Sequence, residues 1–81
     1  MVLYKRIKWT LMVRSRNRLD GYRQHIMFEN YRPKLFDTRR EAREAARDWN
    51  EGLRQNPWAK KEPHGWLPYK VTRVLVLIDE A

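Results

Sequence analysis

Residues 35–53, LFDTRREAREAARDWNEGL, are the only stretch of this chain in which several independent helix signals agree. Thr38 followed three residues later by Glu41 is a capping box, in which each side chain can satisfy a backbone N–H of the first helical turn. Gly52 predicts the end of the helix, because glycine readily takes the left-handed conformation that closes a last turn. We therefore predict one helix in this stretch.

One face of this helix is apolar, because its apolar residues recur at three- and four-residue steps. They are Ala42, Ala45, Ala46, Trp49 and Leu53. The alanines let a neighbouring surface approach closely, and Trp49 is the only large side chain among them. We expect a sheet to pack here, with Trp49 as the main core anchor.

The charges of the helix are sorted onto two sides. One flank of the apolar face carries Arg39, Arg43 and Arg47. The other side carries Glu41, Glu44 and Asp48. Solvated ion pairs four residues apart, Arg40–Glu44 and Arg47–Glu51, would explain the pattern without any partner. A contact between the arginine flank and an anionic partner is the functional alternative.

The composition is that of one small, strongly basic, folded domain. The 81 residues contain 18 Lys or Arg and 10 Asp or Glu, which gives a formal net charge of +8. This balance favours polyanions, nucleic acid first, then an acidic protein surface or an anionic membrane. Hydrophobic residues at 42% and aromatic residues at 12% argue against a disordered basic tail. We predict a single domain over residues 1–81.

Several classes of chemistry lack the residues they need. Without cysteine there is no disulfide framework, thiolate nucleophile or cysteine-based zinc site. His25 and His64 lie in different segments with no third ligand at matching spacing, and no glycine-rich phosphate loop is present. We expect no catalytic site, metal or cofactor, and hence no enzyme. The start lacks signal-peptide features and no apolar run approaches the ~20 residues of a membrane span, so we expect a cytoplasmic protein.

The first half of the chain predicts a hairpin. Between residues 3 and 14 the odd positions, beginning with Leu3, are mostly apolar, whereas the even positions are largely basic, as in a strand with one buried face. Residues 15–21, SRNRLDG, end in an Asp-Gly turn signal, and residues 22–28 form the return strand. If Tyr22 and the other even positions of that strand face the core, Arg23 joins the basic outer face.

The remaining segments complete the fold. Leu35 and Phe36 suggest a very short third strand, and residues 54–68 form a long loop with three prolines. Residues 69–78, YKVTRVLVLI, are almost continuously apolar at their end, which is typical of a strand that is central or covered on both faces. The predicted fold class is α+β: a small antiparallel three- or four-stranded sheet packed against one α-helix, in the order β-β-(β)-α-β.

Two basic patches and two tryptophans are the candidate binding residues. The outer face of the hairpin carries Arg6, Lys8, Arg14, Arg16, Arg18 and Arg23. The second patch is the helix stripe of Arg39, Arg43 and Arg47. Trp58 and Trp66 in the long loop either cover the core or contact a protein partner, and we expect one to be buried and the other accessible.

The sequence resembles two overlapping groups of proteins. Trp9 in a basic first strand, then LFDTRREA leading into a helix with Trp49, is similar to small phage and prophage proteins with an "LF-x-TR-x-EAR" helix start. It also resembles the AP2-like arm-binding domain of tyrosine integrases. That second resemblance implies a three-stranded sheet packed on one helix that reads DNA. The long tryptophan-containing loop and the strong last strand depart from the integrase domain.

Two functions follow as hypotheses. The first is a small, non-enzymatic, phage-like module whose basic hairpin face contacts DNA or RNA, largely through phosphates. The second is a phage effector or inhibitor that docks on an acidic surface of a host protein, with Trp58, Trp66 and arginines as anchors. The sequence leaves the oligomeric state open.

Overall fold

The computed structural model describes residues 2–80, and the side chains of residues 4–77. The elements in chain order are β1 (Val2–Asn17), β2 (Gly21–Ile26), β3 (Phe28–Glu29), β4 (Arg32–Pro33), α1 (Arg39–Gln55), a 3₁₀ turn (Pro57–Lys60) and β5 (Lys70–Glu80). Three strands form an antiparallel sheet in the order β2-β1-β5, and β3 and β4 form a separate two-stranded hairpin. The predicted α+β class is confirmed.

The turn between β1 and β2 forms at the predicted Asp-Gly signal. Gly21 has a φ of 71° and pairs with Asn17 across the hairpin. The buried Asn17 side chain accepts a hydrogen bond from the Asp20 N–H at 2.7 Å and donates to the His64 carbonyl at 3.1 Å. One side chain therefore closes the turn and holds the later loop against it.

The core lies between β1 and α1. Leu11 of β1 and Ala42 of α1 are fully buried, and the small Ala46 beside them lets the helix approach the sheet. Trp9, on the same face of β1 as Leu11, is partly buried against this centre. The odd positions of β1 thus face the helix, as predicted, although Ile7 is 53% exposed. The side chain of Leu3, also predicted on this face, lies outside the described residues.

The helix begins as predicted and ends later. The Thr38 hydroxyl accepts a hydrogen bond from the Glu41 N–H at 3.1 Å, so Thr38 is the N-cap. Gly52 does not end the helix, which continues to Gln55 because Leu53 is buried in the following turn. The chain leaves the helix at Asn56, whose side chain donates to the Gly52 carbonyl at 2.8 Å. The prediction of a stop at Gly52 is wrong.

Trp49 is not the core anchor that the periodicity predicts. Its side chain is 53% exposed, whereas Ala42, Ala46 and Leu53 are the buried residues of the helix. The Trp49 ring lies 5.6 Å from the ring of Tyr69, at the entrance to β5. The helix therefore packs through its alanines, and Trp49 lies at the rim of the contact.

The last strand is an edge strand, not a central or doubly covered one. The 16-residue β1 is central, and residues 2–12 pair with residues 70–80 of β5. Within residues 2–80, no strand pairs with the other edge of β5. Leu75 and Leu77 are accordingly 60% and 63% exposed.

Two connecting segments also form backbone hydrogen bonds with β1. Phe36 forms an isolated bridge with Trp9, through backbone hydrogen bonds of 2.9 and 2.7 Å, where the short third strand is predicted. The long loop is fixed to β1 as well, because the Arg16 N–H donates to the Gly65 carbonyl at 2.8 Å. No helix within residues 2–80 is long and apolar enough to cross a membrane.

Candidate nucleic-acid interface and tryptophan groove

One flank of α1 carries a row of arginines. Arg39, Arg43 and Arg47, here called the arginine row, recur every four residues and follow one flank of the helix over about 12 Å. With Arg40 and Glu44 they line one groove of about 370 Å³. The stripe predicted from the sequence is therefore one continuous surface, and Arg40 is an addition to it.

Few carboxylates neutralise the arginine row. Within residues 4–77, Arg43 and Arg47 make no ion pair or hydrogen bond. The predicted Arg40–Glu44 pair is present, with Nε and Oε1 3.3 Å apart, but the predicted Arg47–Glu51 pair is not, because Glu51 pairs with Arg54. The guanidinium groups of the row thus keep their donors for another partner.

Trp9 links the arginine row to the sheet. The Arg39 guanidinium lies 5.8 Å from the centre of the Trp9 ring, a cation–π contact that orients the first arginine of the row. Arg73 of β5 is paired with Trp9 in the strand register, so it lies on the same face of the sheet. Sequence reasoning missed Arg73, and only the register of β5 on β1 could have revealed it.

The hairpin patch is not assembled as predicted. β1 and β2 pair Ser15 with Arg23 and Arg14 with Gln24. Because paired residues point to the same side of an antiparallel sheet, Arg23 lies on the helix-facing side, opposite to Arg14. The prediction that Arg23 joins the outer basic face is wrong.

The middle of the outer face is covered rather than solvated. Thr10 is fully buried there, and its hydroxyl donates to the Lys34 carbonyl at 2.5 Å. The neighbouring Lys8 forms an ion pair with Asp37 and holds the pKa of that carboxyl below its usual value, through their hydrogen bond and then through its charge. The half-buried Arg14 donates to the Pro68 carbonyl at 2.8 Å.

The other basic residues of the hairpin are exposed but separate. Arg6 lies 5.3 Å from the Tyr4 ring centre, and Arg16 lies 5.5 Å from that of Tyr22. About 33 Å of strand separate these two arginines. Arg18, in the turn, donates its backbone N–H to the Glu62 carboxylate at 3.1 Å. The hairpin thus offers scattered cations instead of one anion-binding surface.

A second candidate surface is an apolar groove of about 430 Å³ at the C-terminal end of α1. Its aromatic lining residues, which define the tryptophan groove, are Trp49, Trp58, Trp66 and Tyr69. Trp58 is 63% exposed and Trp66 38% exposed, so the expectation that one of them is buried is wrong. Burial raises the pKa of the Tyr69 phenol, which is consistent with its half-buried place in the lining of the groove.

The tryptophan groove and the arginine row are different surfaces. Among the residues that the structure describes, Asp48 is the one charged residue that lines the groove, and no arginine or lysine lines it. The protein-binding hypothesis joined Trp58, Trp66 and arginines in one contact. The structure instead gives an apolar groove lined by one acidic residue and a separate basic flank on the same helix.

Among the described residues, the rings of the two histidines make only local contacts. His25 Nδ1 lies 2.9 Å from the Ile26 carbonyl oxygen, and the His64 ring lies 6.2 Å from the Trp58 ring. Among the residues that the structure describes, no group of three or more His, Cys, Asp or Glu is placed to hold a metal ion.

Comparisons with family models, with curated proteins and with solved structures found no match to this chain. The resemblance to small phage proteins and to the integrase arm-binding domain therefore stays a prediction.

Proposed function

We propose that this protein is a small, non-enzymatic module that binds nucleic acid through phosphates, with the arginine row of α1 as its main contact surface. The observation that carries the proposal is that Arg39, Arg43 and Arg47 line one groove together while no carboxylate within residues 4–77 pairs with them. A phage-like origin and a cytoplasmic location belong to the same proposal.

The geometry of the row suits a phosphate backbone. Successive guanidinium groups begin about 6 Å apart along the helix axis. Phosphates of one B-DNA strand recur every 3.4 Å along the duplex, so the row spans about three or four of them. Arginine presents several donors to each phosphate and keeps its charge at any physiological pH. These contacts position a protein on nucleic acid without selecting a sequence.

A second function is favoured by a different observation, the exposure of three tryptophans around one groove. Tryptophan is enriched among the residues that dominate protein interfaces, and exposed apolar grooves of this kind often receive a partner's side chains. The alternative function is thus a protein-binding effector that receives an apolar or aromatic segment between Trp49, Trp58 and Trp66. Capturing partners of this protein from a cell lysate, with and without nuclease, separates the protein-binding function from the nucleic-acid-binding function.

The nucleic-acid proposal is tested by the salt dependence of binding. Fluorescence anisotropy with mixed-sequence duplex DNA and single-stranded RNA gives the slope of log K against log salt concentration. Changing Arg39, Arg43 and Arg47 to Gln should reduce this slope by about 0.9 for each lost duplex phosphate contact, and by about 0.7 for single strands. Affinity near physiological salt should fall correspondingly.

A matched variant controls for net charge. Changing Arg6, Arg16 and Arg18 to Gln removes the same three charges from the exposed hairpin positions. If the row is the contact surface, this variant should lose much less affinity and slope than the row variant. Equal losses would mean that only net charge matters, and a larger loss in the hairpin variant would move the contact to the hairpin. No binding of the unmodified protein near physiological salt would refute the proposal.

A further inference from the structure

Part of the sheet projects beyond the helix. The first half of β1, residues 2–8, pairs with residues 74–80 of β5, whereas the buried centre of the helix contact lies at Leu11. On the helix-facing side of this ribbon Ile7, Leu75 and Leu77 are each more than half exposed. The protein extends 48 Å along its longest axis. On this side the ribbon is therefore apolar surface that nothing within the described residues covers.

The two edges of the ribbon differ in chemistry. The β1 edge carries Lys5, Arg6 and Lys8, and charges of this kind normally keep an exposed edge from pairing with another chain. The β5 edge contains Val74, Leu75, Val76, Leu77 and Ile78 in succession, without charge, proline or bulge. Its outward backbone groups have no partner strand within residues 2–80. A long apolar edge without such protection is a site for strand addition.

We propose that two copies of this chain associate by antiparallel pairing of the outer edges of β5 around a two-fold axis at Val76. A second copy fits because a two-fold contact places the same surface on both sides, so each edge supplies the unpaired groups that the other needs. Charge complementarity favours the same partner. The apolar run is preceded by Arg73 and followed in sequence by Asp79 and Glu80, so antiparallel strands bring a basic end beside an acidic end.

Strand geometry restricts the register. Residues that lie opposite each other must point to the same side of the sheet, so the numbers of each pair have an even sum. Centring the axis on Val76 places Leu75 opposite Leu77 of the second copy. The same register places Arg73 opposite position 79. No other even register puts Arg73 opposite an acidic residue while it keeps the apolar run paired with itself.

The resulting assembly is a continuous six-stranded sheet. The axis runs perpendicular to the sheet, so the two α1 helices lie on the same side of it. Pairing residues 73–79 covers about 23 Å of strand. A contact of this length lies at the small end of specific interfaces, below about 1,200 Å² in total, so the dimer should dissociate on dilution. The proposal does not depend on nucleic-acid binding.

The test is sedimentation velocity on the full chain over a dilution series. We expect twice the 10.0 kDa monomer mass at high concentration and the monomer mass on dilution. Changing both Leu75 and Leu77 to Lys sets like charges opposite each other in the proposed register, and should give a folded monomer at every concentration. Far-UV circular dichroism checks the fold. A wild-type monomer throughout the series, or a double variant that is folded and still dimeric, would overturn the proposal.

Three further variants separate the edge from the face and test the register. Ile7 is about as exposed as Leu75 and lies on the same face of the sheet, but on β1. Ile7→Lys should therefore leave the dimer intact. A monomeric Ile7→Lys variant would mean that the dimer contact buries this face of the sheet and not the edge of β5. Arg73→Glu and Asp79→Arg should each weaken self-association. Their mixture should restore it, because both charge pairs become complementary in the mixed dimer. A mixture as weak as the single variants would overturn the register centred on Val76.

Discussion

Of the three glycines of this chain, Gly65 is the one at which an added methyl group should disturb the fold most. Its φ is 64°, and its carbonyl accepts the Arg16 N–H of β1 at 2.8 Å. A Cβ at this position would lie far inside van der Waals contact with the Arg16 carbonyl oxygen, and 2.7 Å from its carbonyl carbon. Because the obstacle is backbone, no rotamer change can relieve it.

Gly21 supplies the matched control. Its φ of 71° is nearly the same, but nothing lies within 4 Å of its added Cβ. Both alanine variants therefore carry the cost of a left-handed alanine, about 1–2 kcal/mol. Only Gly65→Ala adds the overlap, about 1–3 kcal/mol, and the strained or lost backbone hydrogen bond, about 0.5–1.5 kcal/mol. We expect a loss of about 3–6 kcal/mol for Gly65→Ala, against about 1–2 kcal/mol for Gly21→Ala.

Urea denaturation followed by far-UV circular dichroism measures both losses. A chain of 81 residues has a free energy of unfolding of about 4–12 kcal/mol, so Gly65→Ala should remove a large part of it and lower the urea midpoint far more than Gly21→Ala does. Tryptophan fluorescence shows whether the loop with Trp58 and Trp66 detaches before the sheet unfolds. Equal midpoints for the two variants would refute the close approach of the loop to β1.

Two further predictions concern contacts outside the proposed interfaces. The Asn50 side chain accepts a hydrogen bond from the Tyr69 N–H at 2.6 Å and donates one to the Tyr69 carbonyl at 3.3 Å. Asn50→Ala should therefore lower the free energy of unfolding by about 1–3 kcal/mol. Asn50→Asp keeps the acceptor, so it should lower the free energy of unfolding by less in the same urea experiment. The lowered pKa of Asp37 means that its ion pair with Lys8 stabilises the fold above the ordinary pKa of 3.8 and that this contribution is lost as the pH falls through the folded-state value. Thermal melts over an acid series should therefore show a smaller decrease for Lys8→Met than for the unmodified protein, and parallel curves would contradict the contact.

Local signals in the sequence are sufficient for the hairpin turn and the start of the helix. The cap at Thr38 and the Asp-Gly turn act over a few residues, and both are present in the structure. The prediction that the helix ends at Gly52 is wrong because of a tertiary contact. A glycine inside a helix costs only about 1 kcal/mol, and burial of Leu53 in the next turn offsets this cost.

The prediction of the sheet face on which Arg23 lies is wrong because of the length of the turn. Three residues separate Asn17 from its partner Gly21, so odd positions of β2 pair with odd positions of β1. The sequence pattern predicts instead that the even positions of β2 share a face with the odd positions of β1. A turn signal such as Asp-Gly locates a hairpin, but its loop length decides which side chains share a face.

The order of the strands could not be read from apolar content. The run from Val74 to Ile78 has the composition of a central strand, yet β5 lies at the edge. A strand at the centre of a sheet and an edge strand that pairs with a second chain are both covered on their two edges. Both are therefore typically apolar and uncharged. Composition therefore indicated that this strand is covered, and the described structure shows that nothing within residues 2–80 covers its outer edge.

The candidate interface depends on where the carboxylates lie more than on the net charge. α1 contains five arginines and four carboxylates, so as a whole it is nearly neutral. Its acids pair within the helix, as Glu44 and Glu51 do, or lie away from the row, as Asp48 does at the tryptophan groove. Attraction between a phosphate and a guanidinium is screened within about 10 Å in ordinary salt, so the residues beside the row determine its field. A nearly neutral helix can therefore present a strongly basic flank, which is why two variants of equal net charge should differ in nucleic-acid affinity.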